Sequence, residues 1–203
     1  DQALAAAQAW KQATPQSTDA NRYVLQILIA LNRIDDIPTP LREMLDQTPD
    51  AEKPGMLLAL PQLLRRAPDK AQAARMLEKA LNTELRAEGA AAAAAWTAIG
   101  RMRLQAQDAT GALDAARRGQ ASHAQADGPA VLALELMENG TAYAEPLLTA
   151  YLQQRPSPEV RMAYARLLLE QQRYPEARSQ LKAVTTEKPD LPQAWLAQAA
   201  LQV

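Results

Sequence analysis

Residues 95–119, AWTAIGRMRLQAQDATGALDAARRG, carry the pattern on which the reading of the whole chain turns. Trp96, Ile99 and Gly100 stand at i, i+3 and i+4, so a helix there shows a large ring and small neighbours on one face. Ala112, Ala116 and Gly119 follow at i, i+4 and i+7, a small-residue face on which a second helix can approach closely. Together they predict a helical hairpin. A lone hairpin cannot bury its apolar face, so its neighbours must be hairpins too and the chain must be an array.

Working outward, the same units recur. Upstream, Pro54 opens a pair whose first helix, MLLALPQLLRR, holds Pro61 in its interior, where the ring kinks a helix or moves its end. Ala73, Leu77 and Ala80 mark the second helix of that pair. Residues 82–89 are longer than the spacing needs, which predicts an extended helix or a bulged loop. Before this pair, Tyr23, Ile27, Leu28 and Leu31 predict a helix, capped from the polar 16–19 stretch. A loop over 32–40 and a short helix over 41–47 complete that unit. Residues 2–13, with Ala3, Ala7 and Trp10 on one face, read as the second helix of a pair that lacks its first. The six alanines at 90–95 allow a specialised close-packing seam, but the simpler reading is a helical start of high intrinsic propensity.

Downstream, residues 128–138, a sharp Asn139-Gly140 turn, and Ala144, Leu148 and Tyr151 predict one more pair. Tyr164, Ala165 and Leu168, a turn at 172–175, then Ala177, Leu181 and Val184 predict another. PQAWLAQAALQV starts a further first helix with Trp195. The register is periodic: Pro156 and Pro189 are 33 apart, as are Ala144 and Ala177, and Trp96 and Trp195 are 99 apart. The expected units are 1–16 (partial), 17–53, 54–92, 93–124, 125–157, 158–191 and 192–203 (partial), about twelve helices in all.

Composition agrees with an all-α fold. Apolar residues make up 48% and charged residues 22%, enough of each for a core and a solvated surface. Ala, Leu, Gln and Arg abound, while β-branched residues are scarce and Phe is absent. The net charge of −1, with both signs interspersed, argues against a nucleic-acid binder that relies on a broad basic surface. With no Cys there are no disulfides or thiolate metal sites. The longest apolar run, residues 24–31, falls far short of the roughly 20 residues that span a bilayer. No signal peptide is visible, but Asp1 opens straight into a helical pattern, so the chain reads as a segment of something longer.

The W-x2-I-G run at Trp96–Gly100, with Ala112, Ala116 and the period near 34, resembles the tetratricopeptide repeat. The resemblance covers nearly the whole chain. It is closest at 96–119, 164–189 and 195–201, fair at 54–80, and loose at 17–49 and 125–156. Leu77, Ala116, Leu148 and Leu181 replace the family's Phe, and Arg103 its Tyr. The resemblance implies an all-α, tetratricopeptide-like α-solenoid, a right-handed superhelix of antiparallel helix pairs forming one repeat domain over 1–203. It places Trp96 and Trp195 in the packing slot between paired helices. It implies a non-catalytic scaffold or adaptor, without cofactor, that binds a partner protein or peptide on a concave face. The alternative is the helical scaffold or docking region of a larger enzyme, cell-wall or protease-associated, whose catalytic part lies outside this chain. The Ala/Gln/Arg texture and turns such as EQQRYPEARSQ also resemble repeat domains of proteobacterial cell-envelope lipoproteins. That implies a periplasmic, outer-membrane-anchored setting in preference to the cytoplasm.

In the family the first helix of each pair lines the concave face. Placed on that pattern, the inward residues are Asn21 and Leu25, then Gln62, Arg65 and Arg66, then Thr97, Arg101 and Gln105, then Met162, Arg166 and Glu170. Several arginines on one groove would favour an acidic peptide or a C-terminal carboxylate, because guanidinium forks pair with carboxylates. Equally, they would serve as salt bridges to neighbouring helices, each contributing little. The family's Lys/Asn clamp for chaperone C-termini is not reproduced, since Gln62, Arg101 and Arg166 fill its Asn slots. Other chemistry is poorly supported. Ser122 and His123 are adjacent and point about 100° apart on a helix, which makes no dyad. Asp35-Asp36 lacks the spacing of a calcium loop, no Gly-rich phosphate loop is present, and no metal site is expected. Exposed apolar surface at the two end helices, Trp10 above all, would allow self-association.

Overall fold

The computed structural model describes residues 2–155 and 157–200, and every regular element among them is helical. The chain divides into two compact units, Asp1–Pro129 and Ala130–Val203.

The first unit holds α1 (Gln2–Ala13), α2 (Thr18–Ala30), α3 (Pro38–Gln47), α4 (Lys53–Leu63), α5 (Lys70–Ala80), α6 (Asn82–Leu85), α7 (Ala90–Gln105) and α8 (Ala109–Ser122). Helix α9 (Asp127–Glu138) crosses the division. The second unit continues with α10 (Glu145–Gln154), α11 (Pro158–Glu170), α12 (Tyr174–Glu187) and α13 (Pro192–Ala200). The described residues thus hold 13 α-helices, against about twelve expected. The extra one is the single turn α6, which takes up the long 82–89 segment. The stretch 32–40 is less of a loop than expected: a 3₁₀ turn at Ile34–Asp36 and an early start to α3 at Pro38 bury Ile34 and Ile37.

Helices begin and end for local reasons. Ser17, Asp69, Asp108 and Ser157 each accept a hydrogen bond from a backbone N–H three residues on, satisfying one of the orphan donors at a helix start. The first helices α2, α7, α9 and α11 end alike. Asn32, Gln107, Gly140 and Gln172 take positive φ of 54°, 63°, 71° and 60°. The next residue in each case donates its N–H five residues back: Arg33 to Leu28, Asp108 to Arg103, Thr141 to Leu136 and Arg173 to Leu168. This is the Schellman closure, which satisfies carbonyls that the helix leaves open. Helix α4 departs from it. Pro61 lies inside the helix, two residues before its end, and the chain leaves through a 3₁₀ turn, Leu64–Arg66.

Within the first unit α7 is the centre, packed against α8, α4, α5 and α6. Ala92, Ala93, Ala94 and Ala95 are all buried, so the alanine run is a packing seam and not merely a helical start. The reason is the closeness of the neighbours: a Cβ on Gly119 of α8 would lie 3.2 Å from Trp96 Cβ and 3.4 Å from the Ala93 carbonyl oxygen. Trp96 is core, 8% exposed, with the Arg118 guanidinium 5.0 Å from its ring centre. Two expectations about aromatic and apolar residues fail. Helix α2 buries Ala20, Asn21, Val24, Leu25, Leu28 and Ile29, leaving Tyr23 49% exposed and Leu31 outside the packed face. Trp195 is not core: α13 turns Ala194 inward, while the indole is 49% exposed and donates to the Pro189 carbonyl. In the second unit α11 packs on α12, and Ala177, Leu181 and Val184 form the expected buried stripe.

Candidate functional site

The residues expected on an inward face separate into three groups. Asn21, Leu25 and Thr97 are buried and do not line any open surface. Asn21 donates to Gln47 Oε1 at 3.2 Å, and Gln47 in turn donates to the Pro15 carbonyl. Thr97 donates to the Ala93 carbonyl at 2.7 Å and lies under Gly128, where a Cβ would come within 2.7 Å of its hydroxyl oxygen. Both correct the expected face, and the cause is an angular offset. Adjacent residues differ by about 100° around a helix, so an assignment one residue out moves a side chain from solvent to core.

The second group comes together. Gln62, Arg65 and Arg66 line a groove of about 630 Å³ with Gln26, Ile29 and Ala30 of α2 and Ala59 and Leu63 of α4. On α4 and its turn, Ala59, Gln62, Leu63 and Arg66 lie at i, i+3, i+4 and i+7, a helical stripe legible in the sequence. The α2 contribution was missed because the packed face of α2 was misplaced. The 3₁₀ turn after Pro61 sets the two arginines at the foot of this groove, with Leu64 buried beneath them. Lys70 fixes the turn from behind, its ammonium donating to the carbonyls of Arg65 and Ala67. Both arginines are exposed.

The third group is scattered. On α7, Arg101 is half-buried and engaged within the fold, while Gln105 is exposed. On α11, Arg166 and Glu170 are exposed and Met162 is half-buried. Within the first unit, neither Arg101 nor Gln105 lines the α2/α4 groove.

The strongest charge cluster plays a structural part. In the second unit Arg173 donates to Glu145 Oε1 at 2.6 Å and also to Glu176, and the Tyr164 hydroxyl donates to Glu145. The hydrogen bond from Arg173, and after it that from Tyr164, holds the Glu145 carboxyl below the usual glutamate range against the opposing effect of burial. Burial first, then the Glu145 carboxylate, pushes Tyr164 well above an ordinary tyrosine. Arg42 is held similarly in the first unit, forked onto Glu84 at 2.7 and 3.0 Å. Among the described residues no group of three or more His, Asp or Glu side chains could hold a metal ion, and no helix is long and apolar enough to cross a membrane.

A tetratricopeptide-repeat family model matches residues 135–201, from the end of α9 through α13. No curated protein matches the sequence. Among solved structures the chain is similar to YrrB, a tetratricopeptide-repeat protein with an unusual peptide-binding site. That likeness has 14% identity and a TM-score of 0.48, covering 96% of this chain and 98% of the other. It is also similar to TTC0263, a thermophilic tetratricopeptide-repeat protein of Thermus thermophilus, at 19% identity and a TM-score of 0.49, covering 92% and 99%.

Proposed function

We propose that this chain, whose residues 135–201 match a tetratricopeptide-repeat family model, is a non-catalytic interaction scaffold that receives a partner protein or peptide on its first helices. The observation that carries the reading is the groove between α2 and α4, open to solvent and edged by Gln26, Gln62, Arg65 and Arg66 over an apolar floor. Helices packed on a core are a preformed surface, so little ordering entropy is lost in the scaffold when a partner binds. The partner carries negative charge where it meets Arg65 and Arg66.

The test is site-specific. A photo-crosslinking amino acid is placed at Gln62 in the groove and, for comparison, at the exposed Arg117 of α8. Exposure to native lysate is expected to give a discrete adduct from position 62 and none from 117. Equal labelling at both positions would show that the first helices are not the binding face. Self-association belongs to other surfaces: Trp10, its ring tilted against Tyr23 with centres 5.5 Å apart, and Trp195 with Leu196 are exposed. Sedimentation giving only monomer at high concentration would remove that part of the reading.

A further inference from the structure

Arginines at the ends of α2, α7 and α11 have carboxylates of their own. Arg33 pairs with Asp36 at 2.6 Å, Arg103 with Glu78 at 2.8 Å, and Arg173 with Glu145 at 2.6 Å. Among the described residues, neither Arg65 nor Arg66 has such a partner for its guanidinium. The nearest acid in sequence, Asp69, accepts the Gln72 N–H at 2.8 Å as the cap of α5. Lys70 adds a third cation to the same short segment. The foot of the groove is therefore positive and unanswered from within the fold.

The backbone there constrains what can answer it. In a 3₁₀ turn successive side chains leave the axis about 120° apart. The two forks thus reach the groove from different directions, while one carboxylate has the two oxygens that one fork takes. The apolar lining of the groove comes from Ile29 and Ala30 of α2 and from Ala59 and Leu63 of α4. We infer that the groove takes an internal acidic segment of its partner, with two carboxylate side chains, one for each guanidinium, and an aliphatic residue between them seated on Ile29 and Leu63. This rests on the groove reading above and narrows it. A chain terminus on an uncharged residue offers one carboxylate and leaves the second arginine unanswered.

Fluorescence anisotropy with the full chain tests the inference. The probe is Gly-Ser-Glu-Leu-Glu-Ser-Gly, amidated at its C-terminus and labelled through an N-terminal linker. Saturable binding is expected, abolished when both glutamates become glutamine and weakened when leucine becomes serine. Arg65→Gln and Arg66→Gln are each expected to weaken binding roughly three- to tenfold, the range for exposed to charge-assisted pairs. The double variant should lose the product of the two factors, with the helical circular-dichroism signal unchanged. Equal binding of the glutamine peptide would overturn the inference. So would a double variant no weaker than either single one, which means a shared carboxylate. Equally tight binding of a neutral peptide with a free C-terminus would overturn it as well. If the acidic probe fails to bind while adducts still form at position 62, the two-carboxylate inference falls and the groove reading stands. If no adduct forms there either, both fall.

Discussion

Trp96 and Gly119 show how much of the first hairpin depends on single side chains. The ring is buried between α7 and α8, and α8 can lie that close only because position 119 has no Cβ. Trp96→Ala should destabilise the first unit by about 3–5 kcal/mol, the usual range for truncating a buried aromatic, read as a drop in the urea midpoint. Gly119→Ala should cost about 1–3 kcal/mol for the opposite reason, since its new methyl would meet Pro129 Cγ at 2.9 Å. In the second unit Glu145 supplies a pH dependence whose sign is set. Its carboxyl titrates lower folded than unfolded, so the unfolded chain takes up the proton first as pH falls. Its stabilisation is complete above the ordinary glutamate value of about 4.3 and is lost as pH drops below it through the depressed folded value. The stability gap between the native chain and Glu145→Gln should therefore close on acidification, as measured by denaturation at a series of pH values. The residues misread from sequence, Tyr23, Trp195, Asn21 and Thr97, share one cause. Which side of an amphipathic helix meets a neighbour depends on the neighbour's placement, and that information is tertiary.

At the level of the element, the sequence was far more legible. Helix α12 repeats Ala177, Leu181 and Val184 at helical spacing and buries all three, and the caps Ser17 and Asp69 stand where polar residues precede apolar runs. The Schellman turns were only partly visible. The Asn139-Gly140 pair announces one of them, but Gln107 and Gln172 occupy the left-handed position without glycine's conformational freedom. The closing bonds there are made by backbone atoms, so side-chain identity leaves little trace. Gln107→Gly should stabilise the first unit by about 1 kcal/mol by relieving the left-handed Cβ, read as a raised denaturation midpoint. Pro61 was legible as a disturbance. That it delivers Arg65 and Arg66 to a groove on α2 was not, because the distance between α2 and α4 is fixed by packing and not by spacing.

Across the whole molecule, the helical array follows from one hairpin pattern and a period of 33 residues, while the binding surface does not. Packing is also uneven along the chain. Helix α7 buries ten of its residues, from Ala92 to Met102, whereas α1 buries two and α13 one. Hydrogen exchange followed by mass spectrometry should find the slowest amides within 92–102 and faster ones in α1 and α13, since local opening tracks burial. Uniform exchange would contradict that ranking. The alanine seam in α7 has a further consequence for how the chain can drift under mutation. Ala92 through Ala95 already carry the smallest side chain that leaves helix propensity intact, so almost every replacement there enlarges the residue. Large core side chains suffer by erosion; this seam is vulnerable instead to growth, and damaging variants within it should fall where the wild-type side chain is least conspicuous.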